Sequence, residues 1–178
     1  MRKVLIIGSA GAGKSTLAVR LAATLHLPLL HLDAEYWQPG WQETEKRAWE
    51  QRVAELIAGD AWIMDGNYGG TMETRVRAAD TVILLDLPRL LCLYRVFVRA
   101  LRYRGRARPD LHPGCPEQMP DREFIRWIWS YPNSRLPGVL DLLSRHAIGK
   151  QIFILQSPDE VRRFLEAMER QGGRGPSR

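Results

Sequence analysis

Lys3-Val4-Leu5-Ile6-Ile7-Gly8-Ser9-Ala10-Gly11-Ala12-Gly13-Lys14-Ser15-Thr16 is the stretch that decides how this chain is read. Val4 to Ile7 form a short buried strand that runs straight into glycines, and Leu17 to Leu25 continue as an amphipathic helix. Gly8, four residues and then Gly13-Lys14-Ser15 match the spacing G-x-x-x-x-G-K-[ST] in the strand, loop and helix setting that gives it meaning. The glycines let the backbone wrap an anion closely enough for successive N–H groups to point inward. The helix N-terminus near Lys14 adds its partial positive charge. In such a cradle Lys14 reaches the outer phosphates and Ser15 offers a hydroxyl to Mg²⁺, an ion that keeps most of its waters.

Composition narrows the alternatives. A chain of 178 residues, 45% of them hydrophobic, suits one domain with its own core. The expectation is one domain over residues 1–171, with 172–178 a frayed, disordered tail. Arg2 and Lys3 precede only four apolar residues before Gly8, which is not the pattern of a signal peptide. No stretch is long and apolar enough to span a bilayer, so no membrane partner is expected. Cys92 and Cys115 make no disulfide framework, and a reducing cytoplasm is the expected location. The formal charge of +6 is concentrated. Arg89, Arg95, Arg99, Arg102, Arg104, Arg106 and Arg108 fall in one stretch without an acid, and the rest of the chain is close to neutral. That distribution points to a focused polyanion site.

Outward from the cradle, Leu27 to Leu32 read as a second strand ending at Asp33, with Pro28 at its start. Asp33 is either a substrate or metal-water contact at a strand's carboxyl end, or the cap of a helix starting near Glu35. Tyr36, Trp37 and Trp41 around Pro39-Gly40 either stack on a flat ligand or belong to the core. A helix is predicted from about Thr44–Arg47 to Ala58, its buried stripe made of Ala48, Val53, Leu56 and Ile57. Trp62 to Met64 form a strand ending at Asp65-Gly66, a carboxylate placed to hold a Mg²⁺-bound water. A short helix over Thr71–Ala79 bears Arg75 and Arg77. Thr81 to Asp86 is a further strand, and Pro88 opens a helix from Arg89 to about Tyr103. On that helix Leu90, Leu93, Tyr94, Phe97, Val98 and Leu101 are expected to face the core. Arg95, Arg99, Arg102 and Arg106 recur on the other face, solvated or phosphate-binding. Gly105 to Pro120 lack periodicity and read as a mobile loop or lid. His112 and Cys115 have no second pair to complete a zinc site. Asp121 caps a helix interrupted at Pro132-Asn133, a second helix spans Leu136–Arg145, Gln151 to Leu155 are the last strand, and Ser157-Pro158-Asp159 begins the closing helix. Five strands alternating with helices make an α/β fold, a doubly wound, mostly parallel sheet whose site lies at the strands' carboxyl edge.

The motifs resemble the adenylate-kinase-like nucleotide kinases, with their three-layer P-loop fold. Gly8 to Thr16 are similar to that family's cradle, Asp65-Gly66 to the Asp-Gly ending its third strand, and Asp86-Leu87-Pro88 to its Asp-Val-Pro. The family sets an arginine against adenine seven residues beyond that proline and another at the phosphates four residues later, positions that Arg95 and Arg99 occupy. Arg135 resembles one of its phosphate-clamping arginines. More narrowly, the chain to about Arg163 resembles the bacterial DNA topology modulation proteins, P-loop kinase-like ATPases. The stretches that carry this are His31-Leu32-Asp33, Trp37 to Trp41, Asp65 to Tyr68, Tyr103-Arg104-Gly105 with Arg108-Pro109-Asp110, and Gly114 to Glu117. The chain departs from adenylate kinases at two acceptor-phosphate grips, having Asn67-Tyr68-Gly69 after Asp65-Gly66, and Tyr36 where they carry an arginine.

The resemblance implies an ATP- and Mg²⁺-dependent phosphotransferase with a small-molecule acceptor. Lys14, Arg99, Arg102 and Arg135 would act on the transferred group, Gly8 to Thr16 with Arg95 would hold ATP, and Ser15 and Asp65 would hold Mg²⁺. Asp33, Tyr36 and Trp37 would meet the acceptor, and a lid at about residues 99–120 would close over both. The rival readings are a DNA-binding regulator that uses ATP as a switch, which makes nucleic acid a possible partner, and a plain ATPase. A guanine-reading Asn-Lys-x-Asp signature is absent.

Overall fold

β1 (Lys3–Gly8) is the central strand of a five-stranded sheet ordered β2-β5-β1-β6-β7, with β2 (Leu29–His31), β5 (Trp62–Asp65), β6 (Thr81–Leu85) and β7 (Gln151–Leu155) all parallel to it. This computed structural model describes residues 1–172; the expected tail lies, from residue 173, outside the described residues. Register brings the functional strand ends level. Asp65 stands beside both Ile6 and His31, and Leu85 stands beside Gly8, so one carboxyl edge carries them all.

β1, β5 and β6 are almost wholly buried, and β1 and β6 are rich in Val, Ile and Leu, as suits parallel strands covered on both faces. Alternation along β1 divides the core into two layers. Val4 and Ile6 face α1 (Lys14–Leu25), α8 (Pro158–Gly172) and the inner side of α5 (Arg89–Arg102). Leu5 and Ile7 face α3 (Lys46–Ala58), α4 (Gly69–Ala78) and α7 (Leu136–Arg145). The expected doubly wound α/β architecture is thus the observed one.

Local readings were corrected in five places. α3 is capped by Glu45, whose carboxylate accepts from Ala48 N–H at 3.0 Å, and Trp49 occupies the buried position assigned to Ala48. Asp33 is no cap: it lies within α2 (Leu32–Tyr36), which follows β2 without a break. A two-stranded antiparallel hairpin, β3 (Trp37–Gln38) with β4 (Gln42–Glu43), was not foreseen. α6 (Arg122–Ser134), capped by Asp121 as expected, runs through Pro132 in its last turn and ends at Arg135.

The fifth correction concerns α5. Its buried residues are Cys92, Val96 and Ala100, while Leu90, Tyr94, Phe97, Val98 and Leu101 are exposed; of the predicted stripe only Leu93 packs on the core. Close approach explains the rotation. A Cβ built on Gly11 would lie 2.2 Å from the Cys92 carbonyl oxygen, so only small residues on the helix's inner side let it rest on the cradle. That contact turns Arg95 and Arg99 toward the cleft.

Candidate active site

The cradle holds its shape through glycines that no other residue replaces without strain. Gly8 has φ 140° and an added Cβ would meet the Leu85 carbonyl oxygen at 2.3 Å; Gly11 has φ 77°. Gly13, at φ 96°, is the N-cap of α1 and has no side chain to satisfy the N–H groups, which stay free for an anion. Asn67 braces the entry to the loop from both sides, accepting from Gly8 N–H at 3.1 Å and donating to the Gly8 carbonyl at 2.7 Å. Lys14 Nζ donates to the carbonyls of Gly8 and Ser9, each at 3.1 Å. Burial lowers the Lys14 pKa, against the opposing charges of Asp33 and Asp65, with Arg99 adding to the lowering. Ser9 Oγ is buried and has no hydrogen-bond partner.

Below the cradle Ser15 Oγ donates to Asp65 Oδ2 at 2.7 Å, and His31 Nδ1 lies 2.6 Å from Asp65 Oδ1. Burial alone would lower the His31 pKa, but the hydrogen bond and charge of Asp65, with Asp110 and Asp33 beyond, outweigh it and raise the pKa. The Asp65–Tyr68 turn is held from underneath. Arg75 is fully buried and donates to the carbonyls of Gly66, Asn67 and Tyr68 and to Thr71 Oγ1. Tyr68, at φ 34°, then directs its hydroxyl to Asp33 Oδ1 at 2.7 Å. Burial, then the charge and hydrogen bond of Asp33, hold that phenol far above its ordinary range.

Facing the cradle, Tyr36 makes ring contacts with Trp37, Trp49 and Tyr68 at centroid distances of 5.1, 5.1 and 4.6 Å, and Trp37 meets Trp41 at 5.4 Å. The segment Gly105–Pro120, read as mobile, is built around buried groups. Ala107 and Pro116 form an antiparallel bridge, and Leu111, Cys115, Arg108 and Glu117 are buried. It docks on the β3–β4 hairpin through Gly40 N–H to the Gly114 carbonyl at 2.8 Å, Trp41 Nε1 to the Pro116 carbonyl at 2.9 Å and Cys115 Sγ to the Gln38 carbonyl at 3.2 Å. Glu117 joins two arginines: it accepts from Arg99 Nε at 2.9 Å and lies 2.8 Å from Arg108 Nε, the second contact an ion pair without hydrogen-bond alignment. Arg108 also lies 3.4 Å from Asp110 and 3.7 Å from Asp33.

These parts enclose one cleft of about 1470 Å³. Of the residues singled out from sequence, Ala10, Gly11, Ala12, Gly13, Lys14, Ser15, Thr16, Asp33, Tyr36, Trp37, Asp65, Arg95, Arg99 and Arg102 all line it. Gly8 and Ser9 lie behind that lining. Arg95 Nη1 donates to the Ala12 carbonyl at 3.1 Å. Arg135 is not in the lining; its guanidinium sits 5.4 Å over the ring of Trp127, which is. Sequence reasoning gave no individual role to His31, Asn67, Tyr68, Arg75 or Glu117, and counted Arg108 only as part of the basic stretch. His31, Asn67 and Tyr68 act through partners more than thirty residues away, and Arg75 through backbone carbonyls that only the folded turn presents.

The donor set fits a nucleotide with Mg²⁺. The cradle's free N–H groups and the unpartnered Ser9 hydroxyl suit an anion, and Ser15 beside a single carboxylate suits an ion that takes its remaining oxygens from water and phosphate. Among the described residues no cluster of three or more His, Cys, Asp or Glu stands ready to cage a metal, and no helix is long and apolar enough to cross a membrane.

No protein-family description matches the chain, and no curated protein does. Among solved structures it is similar to the shikimate kinase from Acinetobacter baumannii in complex with shikimate, at 18% identity, covering 96% of this chain and 92% of that one with a TM-score of 0.59. It is also similar to the shikimate kinase from Bacteroides thetaiotaomicron, at 16% identity over 94% and 96% of the two chains, with a TM-score of 0.51. Neither is a DNA topology modulation protein. At such identities the likeness shows the fold, that of the P-loop kinases, and the fold alone.

Proposed function

We propose that the protein is a phosphotransferase that moves the γ-phosphoryl group of ATP, with Mg²⁺, to a small-molecule hydroxyl. The observation that carries this reading is the convergence of Lys14, the Ser15–Asp65 pair, Arg99 and Asp33 on one cleft, at the carboxyl edge of the sheet. The cradle backbone and Lys14 hold the β- and γ-phosphates, and the base lies against Arg95, on the side of the cleft that Pro158 and Val161 also line. Ser15 and, through water, Asp65 would hold Mg²⁺, which would offset the negative charge of the phosphates. Arg99 and Arg102 meet the charge that develops on the transferred group, with Arg135 supporting the wall through Trp127. Asp33 accepts a hydrogen bond from the acceptor hydroxyl, and the docked lid keeps competing water out. Two buried free thiols, Cys92 and Cys115, suit a reducing cytoplasm.

The DNA-binding reading is the weaker one here. It requires the α5 arginines on the surface, and Arg95 and Arg99 are directed into the cleft and engaged there. Lys14→Met keeps most of the side-chain volume while removing the cation, and is expected to lower ATP turnover by about a thousandfold with unchanged circular dichroism. Turnover equal to wild type would remove the cradle from the reaction.

A further inference from the structure

The acceptor side of the cleft has an electrostatic character of its own. Its cations are already engaged: Arg108 is buried among Glu117, Asp110 and Asp33, and Arg99 shares Glu117. Three carboxylates therefore surround two guanidinium groups before any ligand arrives. Asp33 remains partly open, its side chain 42% exposed. A fourth acid comes from the hairpin. Trp37 and Glu43 are directly opposed across the β3–β4 ladder, so their side chains leave the same face of it, and both line the cleft. Trp41 stands at the edge of the Trp37 ring. An indole beside a carboxylate that has the Tyr36 hydroxyl but no cation for a partner, in a wall of net negative charge, is an arrangement that attracts an ammonium group and repels a carboxylate or phosphate.

Resting on the kinase reading above, we propose that the acceptor is a hydroxyl compound bearing a cationic amine, its ammonium held between Trp37, Trp41 and Glu43 and its hydroxyl directed to Asp33. In the transfer, the acceptor oxygen forms the new bond to the γ-phosphorus as the bond from that phosphorus to the β,γ-bridging oxygen breaks. ADP departs with that electron pair, and the hydroxyl proton passes to Asp33 and then to water. Glu43 and Trp37 take no part in bond making; they select and orient.

The test uses the full chain with Mg²⁺ and γ-labelled ATP against matched sets: ethanolamine, ethylene glycol and glycolate; glucosamine, glucose and glucuronate; and, as further anions, shikimate and adenosine monophosphate. The expected result is label in an amine-bearing member, with kcat/KM at least about tenfold above its neutral counterpart and higher still above its carboxylate. Glu43→Gln is expected to raise KM for that amine about tenfold with kcat unchanged, a split that a loss of folding does not produce. Preference for an anion, equal use of the neutral compound, labelling of no member while ATP is retained, or an unmoved KM in Glu43→Gln each overturns the proposal. ATP retention is measured separately by equilibrium dialysis. Failure there defeats the kinase reading itself, whereas retained ATP with an anionic acceptor defeats only this one.

Discussion

The two halves of the cleft are made in different ways. On the proposed reading, the nucleotide half is one continuous piece of backbone, β1 to α1, which would offer amide N–H donors and whose geometry is set by Gly8, Gly11 and Gly13. The acceptor half is assembled from side chains on α2, the β3–β4 hairpin, the Asp65–Tyr68 turn and the Gly105–Pro120 segment. A half made of main chain tolerates almost no change in volume but accepts many side chains around it. A half made of side chains keeps its fold under substitution and changes what it recognises.

Substitutions can break that contrast. Gly11→Ala places a Cβ 2.2 Å from the Cys92 carbonyl at a left-handed φ, and is expected to cost about 4 kcal/mol in urea unfolding and to abolish ATP retention. Retention of both would show that α5 yields easily and that the nucleotide half is not rigid. Arg75→Met leaves the carbonyls of Gly66, Asn67 and Tyr68 without their shared donor, an expected loss of about 3 kcal/mol. Because Asn67 braces the cradle and Tyr68 the acceptor side, this variant should weaken both halves together, and damage to one alone would separate them.

Smaller changes sharpen the contrast. Tyr68→Phe removes the donor to Asp33 and is expected to raise acceptor KM about fivefold, the worth of about 1 kcal/mol, while leaving ATP retention unchanged. A fall in ATP retention would mean that the halves are coupled through Asp33. Trp41→Phe loses the hydrogen bond to Pro116 and part of the ring that meets Trp37, and is expected to cost about 1 kcal/mol, seen mainly as faster amide exchange across residues 105–118.

The same division explains what could be read from the chain before its structure. The cradle, the Asp65 strand end and the strand order's carboxyl edge are local patterns: an apolar run, glycine spacing, a helix start. They were legible because one segment contains all the needed information. The β3–β4 hairpin was not, since its strands are two residues long and draw their stability from the lid they dock on. On α5 periodicity found two faces but assigned the larger apolar one to the core. The tight passage over Gly11, a contact between segments some eighty residues apart, favoured the small residues Cys92, Val96 and Ala100 instead. Arg108 was legible as one of a run of arginines suited to a polyanion and Glu117 as part of a loop stretch, and only the fold reveals that they meet each other.

The seam between the hairpin and the Gly114–Pro116 turn has a consequence for the order of events in a catalytic cycle. Trp41 hangs from Pro116, and Gln38 and Gly40 are bonded to Cys115 and Gly114. Were that turn to swing outward, these contacts would carry the indole wall with it, so that on the proposed kinase reading the cover of the phosphoryl donor and the pocket of the acceptor would open as one door. Occupancy of either compartment would then bias the other through this seam, and initial-rate kinetics should show each ligand tightening its companion, with synergism vanishing once the three contacts are cut.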